Sequence, residues 1–152
     1  MQIDGGYIAR ELQMEPLPRE GGMIRQTLQT ATQSAIYYLL VAPDVSHMHR
    51  LPGPEIWHYY GGAPLDMLLL GRRGEVLKPT LGIDLRRGQR PQVTVPGDCW
   101  QGARSLGEWT LVGTTMTPPY EPEMVEFGSR DSLTAAWPNL AHELKLLTPG
   151  SP

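Results

Sequence analysis

The sequence predicts an all-β sandwich or barrel, and three observations carry that reading. Glycine and proline are frequent, 17 and 15 of 152 residues. They are spread along the chain at short intervals, at Pro16, Pro18, Gly21-Gly22, Pro43, Pro52-Gly53-Pro54, Gly61-Gly62, Gly71, Gly74, Gly88, Pro91 and Pro96-Gly97. Between these breaks lie short apolar or alternating runs, the spacing expected where turns join short strands.

In chain order, strands are expected over 22–29, 35–41, 47–49, 55–60, 65–70, 76–81, 92–95, 99–103 and 109–115. Gly71-Arg72-Arg73-Gly74 reads as a hairpin turn. A first helix is expected over 8–13, ahead of Pro16. A second is expected over about 134–147, where Trp137, Leu140, Ala141, Leu144 and Leu147 recur at helical spacing and would pack on a barrel wall. The last residues, Pro149-Gly150-Ser151-Pro152, read as a frayed end. The length fits one domain, residues 1–152, with a core of about 20–128.

Composition narrows the function classes. A hydrophobic fraction of 40% and a charged fraction of 19% are ordinary for a soluble globular protein. A net charge of -3 supplies no basic field for nucleic acid or an anionic membrane. The basic run Arg86-Arg87-Gly88-Gln89-Arg90 is too short to change that. The single cysteine, Cys99, cannot form an intrachain disulfide. The start of the chain lacks a basic stretch followed by an apolar run, and the longest apolar stretch, residues 35–42, is too short to span a bilayer. A cytoplasmic protein with no nucleic-acid or membrane partner is expected.

Three of the four histidines fall within residues 47–58. His47 and His49 lie two apart, so on a strand they share a face and their imidazoles can converge. Glu55 follows the Pro52-Gly53-Pro54 turn and opens the next strand. Two imidazoles and a carboxylate on adjacent strands suit one face of an octahedral metal, the arrangement of non-haem Fe(II) sites. His58, three residues after Glu55, should face outward, whereas Trp57 and Tyr59 share the face of Glu55. Tyr37 and Tyr38 point to opposite faces of their strand. One of them is expected in the pocket, Tyr37 as a proton-moving candidate or Tyr38 as a substrate contact.

The pattern His47-x-His49, five residues, Glu55, six residues, Gly62 resembles the first cupin motif with one extra loop residue. Pro96-Gly97-Asp98-Cys99-Trp100-Gln101 resembles the second, with Gln101 where most cupins have histidine. The resemblance extends to the Cupin-5 family, long described as of unknown function. It rests on Glu20-Gly21-Gly22, Arg25-Gln26-Thr27, Ala35-Ile36-Tyr37, Ser46-His47-Met48-His49-Arg50-Leu51, Glu55-Ile56-Trp57-His58 and Val95-Pro96-Gly97-Asp98-Cys99-Trp100-Gln101. It covers most of the chain. Met23-Ile24 stands where the family has an aromatic pair, and Gln26 replaces an acidic residue.

What the resemblance implies is a double-stranded β-helix, the cupin jelly-roll barrel, with an N-terminal helix and strand extension, a C-terminal helix and homodimers. It implies a divalent metal (Fe, Mn, Ni or Zn) held by His47, His49, Glu55 and Gln101, Gln101 alternatively donating to substrate. A metal-free pocket, like that of the dTDP-sugar 3,5-epimerases with histidine as base, stays open beside it. Glu55, His49 and Tyr37 are the candidates to move a proton. Arg25, Arg50, Tyr38, Trp57, Tyr59, Met23 and Cys99 are the candidate substrate contacts, the arginines for a carboxylate or phosphate. The expected function is a small-molecule enzyme of isomerase, epimerase, cyclase or lyase type. An O2-dependent Fe(II) oxygenase and a non-enzymatic ligand-binding module are the alternatives, because one fold hosts many chemistries.

Overall fold

Turn residues cut the chain into short strands that pair in two antiparallel sheets, each six-stranded among the described residues. The computed structural model describes residues 2–150; of the expected frayed end, Ser151 and Pro152 lie outside them. Helix α1 (Gly5–Glu11) is followed by β1 (Glu15–Pro16), β2 (Met23–Gln29), β3 (Ser34–Val41), β4 (Ser46–Arg50) and β5 (Glu55–Gly62). Then come β6 (Leu65–Leu70), β7 (Val76–Leu77), β8 (Thr80–Leu81), β9 (Gln92–Val95), β10 (Trp100–Ser105) and β11 (Trp109–Met116). The chain ends with β12 (Glu126–Phe127), α2 (Arg130–Ala136) and α3 (Ala141–Leu146). One sheet runs β1-β2-β3-β11-β5-β9 and the other β12-β4-β10-β6-β7, with β8 also paired to β6.

Three apolar clusters hold these layers together. Between the sheets, Tyr38, Leu40, Trp57, Leu65, Met67, Leu69, Val95 and Val112 form the barrel core. Outside the second sheet, Met48, Leu68 and Leu70 pack against Leu133, Leu140, Leu144 and Leu147 of the C-terminal helices. Outside the first, Ile8 and Met14 cover Leu39. Strand β6 is therefore buried on both faces, which is why Leu65–Leu70 reads as a nearly continuous apolar run rather than an alternating one.

The strands fall where expected, with local differences. Helix α1 starts earlier than residue 8, because the Asp4 carboxylate accepts from Tyr7 N at 2.8 Å and caps it. The expected strand over 76–81 is split at Lys78-Pro79 into β7 and β8, since proline cannot donate to a ladder. The expected single C-terminal helix is two, separated by a 3-10 turn at Pro138–Leu140. Pro138 disfavours helical backbone at Trp137, which sits at φ -128° and ψ 70°. Leu140, Leu144 and Leu147 still bury as expected, but Ala141 is exposed and the buried anchor of α2 is Leu133.

Candidate active site

At one end of the barrel, side chains from β3, β4, β5 and β11 meet a loop that precedes β2. The loop residues Gly21 and Gly22 have φ of 94° and 77°, in the region glycine favours. A Cβ on Gly21 would lie 2.2 Å from the Val45 carbonyl, and one on Gly22 would lie 2.8 Å from the Tyr38 hydroxyl. Tyr38 turns inward and donates to the Gly21 carbonyl. The His47 amide donates to the Glu20 carbonyl at 2.7 Å. This docking carries the Glu20 side chain into the barrel, where it is buried.

There Glu20 meets His49. The His49 Nδ1–H donates to the His47 carbonyl at 2.7 Å, which fixes the tautomer and leaves Nε2 facing Glu20 Oε1 at 3.4 Å. The Ser46 hydroxyl donates to Glu20 Oε2 at 3.1 Å. His49 and Glu20 thus form a buried imidazole–carboxylate pair.

Glu55 lies in the same cavity and is also buried. Its Oε1 is a buried polar atom with no hydrogen-bond partner among the described residues. Burial pushes the Glu55 carboxyl above its ordinary range; His49 opposes that shift and Glu20 adds to it. Tyr120, on the cavity wall, has its hydroxyl pushed up to about 12, first by burial and then by the charges of Glu20 and Glu55. The cavity itself is small, about 20 Å³, room for about one water.

Gln101 is adjacent to His49 across the β10–β4 ladder and faces the same interior. Its amide oxygen accepts from Trp57 Nε1 at 2.9 Å, a bond that crosses from one sheet to the other. The expected metal set is therefore not gathered around one point. Gln101 Oε1 is taken by Trp57, His49 Nε2 faces Glu20, and the His47 ring bonds the Arg19 carbonyl at 3.0 Å through Nδ1. Among the described residues no three His, Cys, Asp or Glu side chains stand in metal-ligating proximity. As placed, these donors do not fit a metal ion.

The other expected contacts divide. Tyr38 and Trp57 line the cavity. Tyr37, expected as a proton mover, lies on the opposite face of β3, edge-on to Tyr60 and against the α1 cluster. Met23 joins that outer cluster. Arg50 points out of the barrel, over the Trp100 ring at 4.5 Å and paired with Glu126 at 2.8 Å. Tyr59 packs on the barrel core but its hydroxyl donates to the Gly62 carbonyl. Cys99 faces a separate cleft beside Pro96 and Gly71, where burial raises its thiol. Arg25 lines an outer vestibule that shares Leu17, Ile24 and Tyr120 with the cavity. Sequence reasoning missed Glu20, Ser46 and Tyr120. Glu20 stood in the matched segment Glu20-Gly21-Gly22, but its partner is 29 residues away in the chain, at His49.

The chain resembles solved structures over nearly its full length. A crystal structure of protein SO0799 from Shewanella oneidensis has 29% identity, a TM-score of 0.92 and coverage of 99% of this chain and 100% of that one. A hypothetical protein from Leishmania major has 21% identity, a TM-score of 0.89 and coverage of 97% and 100%. Oxalate decarboxylase from Bacillus subtilis shares the fold at 15% identity and a TM-score of 0.60, this chain aligning over 92% of its length with 38% of the enzyme. No curated protein sequence matches significantly. A family profile described as Cupin superfamily (DUF985), Cupin_5, matches residues 6–128, from the second residue of α1 through β12 and none of α2 or α3. Two antiparallel sheets form a jelly-roll barrel, and with that match over most of its length the chain belongs to this cupin family.

Proposed function

We propose that the chain is a small-molecule enzyme that transfers protons, of isomerase or epimerase type, with the His49–Glu20 pair and Glu55 as its two proton-handling groups. The observation that carries this reading is the buried Glu55 Oε1, which has no hydrogen-bond partner among the described residues and lies in one cavity with the His49–Glu20 pair. Two carboxylates in one pocket with different surroundings suit different roles. Glu20 has a hydroxyl donor and an imidazole beside it, so the His49–Glu20 pair acts as one proton-handling group. Glu55 is desolvated, which favours its protonated form and suits an acid. Tyr120 is held neutral and can donate to an oxygen on the reacting carbon. No step is routed through a metal, because the expected donors are otherwise engaged.

The test is solvent exchange. Hydroxy and oxo compounds, including sugars and short acids, are incubated in D2O with protein dialysed against chelator, its metal content measured beside it. The expected result is deuterium incorporation into one class of compound that survives chelation. His49→Asn or Glu55→Gln should slow it about 10²- to 10⁴-fold. Exchange that vanishes on chelation and returns with Fe(II), Mn(II), Ni(II) or Zn(II) would overturn the reading in favour of metal chemistry. Oxygen uptake with Fe(II) would support an oxygenase instead, and saturable binding without exchange a ligand-binding module.

We propose also that the protein is a homodimer. What supports it is the outer face of the first sheet beyond α1, where Tyr60 is 52% exposed, stacked with His58 and edge-on to Tyr37.

A further inference from the structure

The inner cavity has room for a reacting end only, about 20 Å³, whereas the vestibule outside it is a groove open to solvent of about 740 Å³. The two share Leu17, Ile24 and Tyr120 as a common wall. A ligand reaching Glu55 must therefore keep its body in the vestibule, whose lining decides what binds. The charged side chains on that lining are Glu15, Arg19 and Arg25, two cations against one anion.

Arg19 is not an ordinary surface arginine. Its guanidinium lies over the Phe127 ring, 4.1 Å from the centroid. Its backbone sits at φ 66°, a conformation that costs a non-glycine residue free energy and must be held by its surroundings. Those surroundings are on both sides. The Arg19 carbonyl accepts from the His47 ring, and the Glu20 amide donates to the Pro18 carbonyl at 2.8 Å. The same tight loop thus sends Glu20 into the barrel and Arg19 over its mouth. Neither Arg19 nor Arg25 has an ion-pair partner among the described residues. A ring platform and a fixed backbone preorganise the planar fork of Arg19 for an oxyanion, with little ordering cost left to bind one.

We propose that Arg19 and Arg25 form an oxyanion-recognition subsite in the vestibule, and that the molecules bound there are small organic anions bearing a carboxylate or phosphate. That the anion's other end is delivered to His49 and Glu55 rests on the proton-transfer reading; binding at the subsite does not.

The full chain is titrated with succinate, glycerol 2-phosphate, succinamide and glycerol at fixed ionic strength, followed by the arginine Nε–H and Trp57 indole resonances. Succinate or glycerol 2-phosphate should bind saturably through Arg19, the tighter of the two identifying carboxylate or phosphate as the group read. The uncharged probes should not bind. Arg19→Met and Arg25→Met together should weaken binding about tenfold or more, as expected for lost charge-assisted hydrogen bonds, and Arg19→Lys should restore it only in part. Arg86→Met, outside the vestibule lining, should leave the affinity unchanged. Equal binding of succinamide, no saturation by either anion, or an unaltered affinity in the double arginine variant would overturn the subsite. A failed D2O exchange with intact anion binding would instead fault the proton-transfer reading alone.

Discussion

Glu55 concentrates the electrostatics of the site. Its folded pKa lies above its ordinary value near 4.5, because burial penalises the charged form. For such a group the contribution to stability is full below the unfolded pKa and is lost as pH rises through the folded one. Wild type and Glu55→Gln should therefore differ least near pH 4 and increasingly above it, with the variant the more stable at pH 8. Denaturant midpoints measured across pH 4–9 check this; a constant gap would mean that Glu55 is not desolvated. A second residue-scale expectation concerns Trp57. Trp57→Phe removes the donor to the buried Gln101 oxygen and should cost about 1–3 kcal/mol. Calorimetry of the variant decides it. The facing of Glu55, Trp57 and His49 was legible from strand alternation alone. Glu20 was not, because its place depends on a loop whose glycine conformations no periodicity encodes.

Among the elements, the strands were legible because turn residues bound them and one face of each is apolar. Helix ends were less so, since a cap such as Asp4 or Ser129 or a breaker such as Pro138 acts within one turn and outweighs the apolar period. The C-terminal helices form a separate layer that covers Met48, Leu68 and Leu70 from outside. Leu144 is fully buried in that layer, so Leu144→Ala should cost about 2–5 kcal/mol. Hydrogen exchange should then quicken across α2 and α3 first, while amides of β3, β5 and β11 keep their protection. Uniform loss of protection would show that barrel and helices unfold as one unit. The engagement of the expected metal donors belongs to this same scale. Spacing brought His49, Glu55 and Gln101 into one interior, but it could not show that Trp57 and Glu20 would already hold the atoms a cation needs.

For the whole molecule, the two outer faces are treated differently. The second sheet is roofed by α2 and α3, the first only partly by α1. The uncovered part carries Tyr60 over Gly113, where a Cβ would lie 2.4 Å from the Tyr60 hydroxyl, so the ring lies flat against the sheet. Sedimentation equilibrium should give a dimer, and Tyr60→Glu should shift it toward monomer without altering the far-ultraviolet spectrum. A monomer at all concentrations would remove the dimer from consideration. No helix among the described residues is long and apolar enough to cross a membrane.

The Trp57–Gln101 bond has a consequence for how such a chain can change over time. The two positions lie on different sheets, yet each satisfies the other in the dry centre of the barrel. Replacing either one alone strands a buried polar group, so the first step of any exchange is downhill in stability. A compensating second change recovers it, which makes the pair epistatic. A side chain at position 101 with no acceptor for the indole N–H would thus be tolerated best in a background that has already given up the indole.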